Sequence, residues 1–175
     1  MERGGGGGPA GRDRFDKAAI FSGVEKLLAK GKCADFVIQL LQKGFLDVNK
    51  VSGPADLGQY ERGIYDSLGT SVIVDVLQKA EFYDRGKAPL TQVGNETYTI
   101  VARANYRNDD TSSIDLFDPF FELSSTGQYQ TVLHEAMHLV WNIGDENYAR
   151  AVGIRGKSGP AASAAWHAKL QEKCK

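Results

Sequence analysis

One short segment limits the folds open to this chain more than any other feature. His134 and His138 lie four positions apart, and Glu135 directly follows the first histidine. In an α-helix, residues four apart lie one above the other on the same face, so both imidazoles can reach a single ion. The glutamate lies about 100° further round the helix, where it can face that ion without binding it. The segment therefore predicts a helix built around a metal site.

The residues on either side predict that this helix is buried. Residues 131–133 and 139–141 carry no charged side chain, and Glu135 is the one charge in the whole stretch. Burying two imidazoles and a carboxylate without a binding partner is costly. We therefore predict His134 and His138 as metal ligands and Glu135 as the base that takes a proton from water.

This pattern is similar to the active-site helix of the zincin metallopeptidases over residues 131–140. The resemblance implies a catalytic Zn²⁺ with three protein ligands, and a peptide or protein substrate. It also implies an edge strand that holds extended substrate beside the helix. Residues 113–117 stand at the right place in the chain to be that strand.

Several residues are candidates for the third zinc ligand. The position six residues after His138 is Gly144, which excludes the histidine of the metzincins. A left-handed backbone at this glycine would turn the chain back towards the metal and present Asp145. Asp145 is equally well placed to be the N-cap of a following helix. We predict Asp145 as the ligand, and the alternatives are Glu146, His167 and Glu172.

Tyr148 follows Asp145 by three residues, and this spacing resembles the aspartate and tyrosine of the aspzincins. The aspartate comes sooner after the second histidine than in deuterolysin-type members of that group. By this resemblance Tyr148 would be catalytic and would stabilise an oxyanion. Core packing is the alternative role for this tyrosine.

Hydrophobic periodicity predicts a mostly helical chain with a small sheet. Strands are predicted over residues 97–106 and 113–117, paired with each other. The element order gives an α+β class, and the resemblance makes it zincin-like, with the sheet next to the helix of His134 and His138. Helices are predicted over 13–30, 33–43, 54–68, 71–82, 128–141, 146–152 and 161–173, with a strand as the alternative near 72–74.

Length and charge narrow the remaining classes of function. The 175 residues suit a single domain, predicted over 13–175 after a flexible glycine-rich linker over 1–12. A formal net charge of -1 argues against a nucleic-acid binder that works through a basic face. No apolar run reaches the roughly 18 residues of a membrane span, and no secretory signal is recognisable. The linker favours a domain tethered to a larger chain, and an intracellular protein is the alternative.

The two cysteines, Cys33 and Cys174, are too far apart in sequence for a zinc knuckle. They can either form a disulfide or remain two separate thiols. The layout from residue 32 to the last cysteine also resembles metallopeptidase domains at the C-terminal ends of large bacterial surface or repeat-containing proteins. That resemblance implies an extracytoplasmic or secreted setting and favours the disulfide.

These observations together predict a zinc-dependent metalloendopeptidase. The alternative is a catalytically inactive zincin-like domain that binds zinc or serves as an interaction module of a larger protein. Metal content and a peptide-cleavage assay distinguish them.

Overall fold

The computed structural model describes residues 14–109 and 111–175, so the predicted linker over 1–12 lies outside the described residues. No helix in these two ranges has the length and apolar character needed to cross a bilayer. A short 3-10 helix covers Pro54–Asp56. The α-helices are α1 (Lys17–Leu28), α2 (Gly31–Val48), α3 (Gln59–Ser67), α4 (Thr70–Lys79), α5 (Asp118–Phe121), α6 (Ser125–Trp141), α7 (Asp145–Ala151) and α8 (Gly159–Lys173).

The strands form a three-stranded sheet and a separate hairpin, which together with the helices give an α+β fold. The strands are β1 (Glu81–Gly86), β2 (Leu90–Val93), β3 (Glu96–Thr99), β4 (Ala102–Asn105) and β5 (Ser113–Phe117). The sheet has the order β1-β5-β4, with β1 parallel and β4 antiparallel to β5. Strands β2 and β3 pair with each other as the hairpin.

The predicted strand over 113–117 is confirmed, but its expected position at the sheet edge is wrong. β5 is the central strand, because residues 81–86 form β1 and pair along its other side. The predicted helix over 71–82 is too long at its C-terminal end, because α4 ends at Lys79. β4 is the edge strand next to α6.

The other predicted strand, over 97–106, is divided between two sheets. Its first part is β3 in the hairpin and its second part is β4 in the main sheet. The division falls at Ile100 and Val101. The Ile100 N–H donates to the Pro89 carbonyl, whereas the Val101 carbonyl accepts from the Phe117 N–H. The two neighbouring residues therefore bond to different partners.

Helix α6 runs through the centre of the molecule and packs against α1, α4, α8 and β4. It begins three residues earlier than predicted, because the Ser124 hydroxyl accepts the Gly127 N–H and caps the first turn. Every residue from 130 to 137 is buried. The histidines predicted as ligands are therefore held on a helix whose position is fixed by neighbours on several sides.

Cys33 at the start of α2 and Cys174 at the end of α8 form a disulfide, and both are fully buried. The Gln130 side chain donates to the Cys174 carbonyl at 2.7 Å. The end of α8 is therefore attached both to α2 and to α6.

Candidate metal centre

Three predicted ligands come together at one point. The Asp145 Oδ1 lies 3.0 Å from the His138 Nε2 and 3.5 Å from the His134 Nε2. The three residues offer ligand atoms that all lie within 4.8 Å of one another. A tetrahedral zinc ion with bonds of about 2.0–2.1 Å holds its ligand atoms about 3.4 Å apart. The separations to Asp145 are therefore close to those that zinc requires.

The turn between α6 and α7 brings Asp145 back to the histidines, but not through the predicted residue. Asn142 adopts the left-handed conformation, with φ of 51°, whereas Gly144 has φ of -87°. Asparagine is one of the few residues other than glycine that tolerates this conformation. Gly144 is the N-cap of α7 and Asp145 is its first residue, so the alternative role of Asp145 as the N-cap is wrong.

Hydrogen bonds orient both imidazoles towards Asp145. The His138 Nδ1 lies 2.7 Å from the Ile143 carbonyl, which can only accept, so this nitrogen carries the proton. The His134 Nδ1 lies 3.0 Å from the Nδ1 of His167. With the Nδ1 proton on His134 and with His138 in its neutral form, each Nε2 would present a lone pair to the centre, as a metal-ligating histidine must. His167 thus orients His134 from the far side of its ring and lies outside the group of candidate ligands, contrary to one of the alternatives.

One face of α8 covers the site. Trp166 stacks on the His134 ring at a centroid distance of 4.0 Å, and its indole N–H donates to the Asp145 Oδ1 at 2.8 Å. Ser163 Oγ lies 3.3 Å from the His134 Nε2. Sequence reasoning missed Ser163 and Trp166, although with His167 they have the i, i+3, i+4 spacing of a single helix face.

Neither of the remaining alternative ligands joins the cluster. The Glu146 carboxylate accepts the Gly159 N–H at 2.8 Å, which ties α7 to the start of α8. Glu172 is exposed near the end of α8. The cluster of His134, His138 and Asp145 is the one such group of three found within residues 14–109 and 111–175.

Glu135 lies beside the cluster without belonging to it. Its side chain is buried, with Oε2 3.9 Å from the His134 Nε2, and the backbone of Ala104 in β4 hydrogen-bonds to its carboxylate. The bond from the Phe117 N–H to the Val101 carbonyl fixes which residues of β4 pair with β5. By alternation, the backbone groups of Ala102 and Ala104 face the free edge.

Tyr148 does not have the predicted geometry of an oxyanion donor. It is fully buried, and its hydroxyl donates to the Met137 carbonyl at 2.6 Å. Its ring centroid lies 5.8 Å from that of His138 and 4.8 Å from that of Trp166. These contacts fit the alternative role, in which Tyr148 fixes α7 against α6 and thereby positions Asp145.

Burial and charge set the protonation of the metal-free site. Burial raises the pKa of Glu135 to about 7 and lowers the pKa of His134 to about 3. Burial alone would also lower the pKa of His138, but the hydrogen bond to Asp145 and the charges of Glu135 and Asp145 raise it to about 9. The Asp145 pKa is far below its usual range, because the hydrogen bonds from both histidines outweigh the effect of burial. In the absence of a metal, His138 and Asp145 therefore form a charged pair at neutral pH.

No protein-family model, no curated protein and no solved structure matches this chain.

Proposed function

We propose that this protein is a zinc-dependent metallopeptidase of the zincin type. The observation that carries the proposal is the position of Glu135. This buried carboxylate lies beside a cluster of two histidines and an aspartate, yet contributes nothing to it. A site that only binds metal for structural purposes has no need of such a base.

The donor set fits zinc. Two imidazoles and one carboxylate, with ligand atoms within 4.8 Å of one another, match the three protein ligands of catalytic zinc sites. When bound, the ion supplies a Lewis acid that polarises a peptide carbonyl and lowers the pKa of a water molecule to about 7. A bound cation also favours the ionised form of Glu135, because opposite charges at this distance lower a carboxyl pKa.

Glu135 is the general base and then the general acid. Its carboxylate takes a proton from water as the water oxygen forms a bond to the carbonyl carbon. It then gives that proton to the amide nitrogen as the C–N bond breaks. The Ala104 backbone interacts with this carboxylate, which therefore lies near the edge of β4, where an extended substrate would bind.

The proposed substrate-binding strand is β4, which would bind the peptide along its free edge. The outward backbone groups of Ala102 can pair with an extended peptide, which would thereby become a fourth strand of the sheet, while the Ala104 backbone interacts with Glu135. A peptide bound there would pass directly beside Glu135.

The experiment that tests this proposal compares the wild-type protein with Glu135→Gln. Zinc content is measured on the purified proteins, and peptide-bond hydrolysis is measured with fluorescein-labelled casein. Glu135→Gln should retain zinc and lose activity by about 10²–10⁴-fold, because glutamine cannot accept the proton. Glu172→Gln is the matched control, since this exposed glutamate lies outside the cluster, and it should leave both quantities unchanged.

The possible outcomes distinguish the proposal from its alternatives. Stoichiometric zinc without chelator-sensitive cleavage of casein or of a peptide library would favour an inactive zinc-binding domain. Absence of zinc from the wild-type protein would favour an interaction module. Full activity of Glu135→Gln would refute the general-base role.

A further inference from the structure

We propose that Ser163 is a further catalytic residue, whose hydroxyl donates a hydrogen bond to the oxyanion formed when a peptide carbonyl is attacked. The inference rests on the proposed function, and it assigns to Ser163 the oxyanion hydrogen bond that Tyr148 cannot donate. The Tyr148 phenol proton is donated to the Met137 carbonyl, and its ring is fully buried.

The position of the Ser163 hydroxyl carries the proposal. Ser163 Oγ lies 3.3 Å from the His134 Nε2, the same atom that faces the Asp145 Oδ1. The hydroxyl therefore reaches the centre of the cluster and not its periphery. Ser163 is partly exposed.

The tautomer of His134 determines what the hydroxyl does. A metal-bound His134 would carry its remaining proton on Nδ1, 3.0 Å from the His167 Nδ1, so the Ser163 hydroxyl at 3.3 Å from Nε2 would receive no proton from that nitrogen and would keep its own to donate. With a metal bound at Nε2, that nitrogen would no longer be able to accept the Ser163 proton. The freed donor then lies next to the position where negative charge develops during attack on a carbonyl.

A direct bond from Ser163 to the metal is the less suitable role. Zinc sites use thiolate, imidazole and carboxylate ligands, and a neutral hydroxyl is not among them. The cluster already supplies the three protein ligands of a catalytic site. Helix α8 also fixes the serine, since Trp166 from the same face stacks on His134 and hydrogen-bonds to Asp145.

The test uses Ser163→Ala, with Ser163→Thr as the variant that keeps the hydroxyl. Zinc affinity is measured by competition with a chelator. Affinity for acetohydroxamate, an anion that binds catalytic metals, is measured on the Co²⁺-loaded proteins by visible absorption. Ser158→Ala is the matched control, because Ser158 precedes the same helix and its side chain makes no capping hydrogen bond.

Ser163→Ala should leave zinc affinity near wild type and weaken acetohydroxamate binding by at least about 10-fold, the value of a hydrogen bond to a charged group. The kcat for labelled casein should fall by about 100-fold with little change in KM. Ser163→Thr should recover most of both losses, and Ser158→Ala should lose neither.

Each contrary result has a distinct meaning. Wild-type acetohydroxamate affinity in Ser163→Ala overturns the assignment of Ser163 while the metallopeptidase proposal stands. Loss of zinc affinity in Ser163→Ala also overturns it, because the hydroxyl would then be a ligand. A wild-type protein that binds no zinc refutes the proposed function itself, and the assignment of Ser163 falls with it.

Discussion

Replacing Cys33 and Cys174 together by alanine should destabilise the protein mainly through its unfolded state. The disulfide joins residues 141 positions apart, and the entropy that it removes from the unfolded chain grows with the logarithm of loop length. For this loop the chain-entropy relation gives about 5 kcal/mol at 25 °C. A protein of this size loses about 2–4 °C in Tm per kcal/mol, so the Tm should fall by about 10–20 °C.

Thermal unfolding followed by circular dichroism measures the effect. The two single variants, the double variant and the reduced wild-type protein all lack the same cross-link, so they should melt at nearly the same temperature. Alanine is the suitable replacement because both cysteines are fully buried and serine would bury an extra hydroxyl.

The folded site should be affected much less than the stability. The Gln130 side chain still donates to the backbone carbonyl of residue 174, and Lys30 still donates to the Lys175 carbonyl at 2.9 Å. Zinc affinity well below the Tm should therefore stay close to wild type. A Tm decrease of less than about 3 °C would refute the loop-entropy reasoning. A large loss of zinc affinity at a temperature well below the Tm would show instead that the disulfide affects the folded site.

Three further predictions concern the metal cluster. Asp145→Asn should weaken zinc binding by more than about 100-fold in a chelator competition, whereas Glu146→Gln should bind zinc nearly as wild type does; equal affinities would exclude Asp145 as a ligand. Gly44→Ala should cost about 1–3 kcal/mol in urea unfolding and also weaken zinc binding, because the new Cβ would lie 2.9 Å from two buried side chains around the turn that carries Asp145. Gly63→Ala, with no atom within 4 Å of its Cβ, is the control and should be neutral or stabilising. In the metal-free protein His138 should titrate near pH 9, a midpoint that an NMR titration would measure.

The centre of the site could be predicted from the sequence because its determinants are local. The spacing of His134 and His138 follows from helix geometry alone, and the lack of charged neighbours predicts a buried helix. The return of Asp145 was also predictable, since a turn must follow Trp141. The residue that adopts the left-handed conformation in this turn could not be predicted. Asn142 and Gly144 both tolerate that conformation, and the local sequence does not distinguish them.

The parts that could not be predicted depend on pairings between distant segments. β5 is not the edge strand that was expected, because residues 81–86 pair with it. These residues are distant in sequence, and no local pattern predicts that they pair with β5. Ser163 and Trp166 reach the cluster of His134, His138 and Asp145 only through the docking of α8, so their shared helix face gave no indication of what it would cover. The role of Tyr148 depended in the same way on a contact with the backbone of another helix.

Zinc and a proton compete for the Nε2 of His138, so the raised pKa of this histidine determines how many protons leave when zinc binds. Because its folded pKa of about 9 exceeds the ordinary 6.5, protonated His138 stabilises the metal-free fold fully below pH 6.5, and this contribution disappears as the pH rises through 9. His134 should stay neutral down to about pH 3, so one proton and not two must leave the histidines when zinc binds at pH 8. Histidines of ordinary pKa would both be neutral at that pH and would release none. In ¹⁵N-labelled protein, added zinc at pH 8 should therefore replace the protonated His138 signals with those of a metal-bound imidazole. A His138 midpoint near 6.5 in the metal-free protein would show that Asp145 does not interact with it in solution.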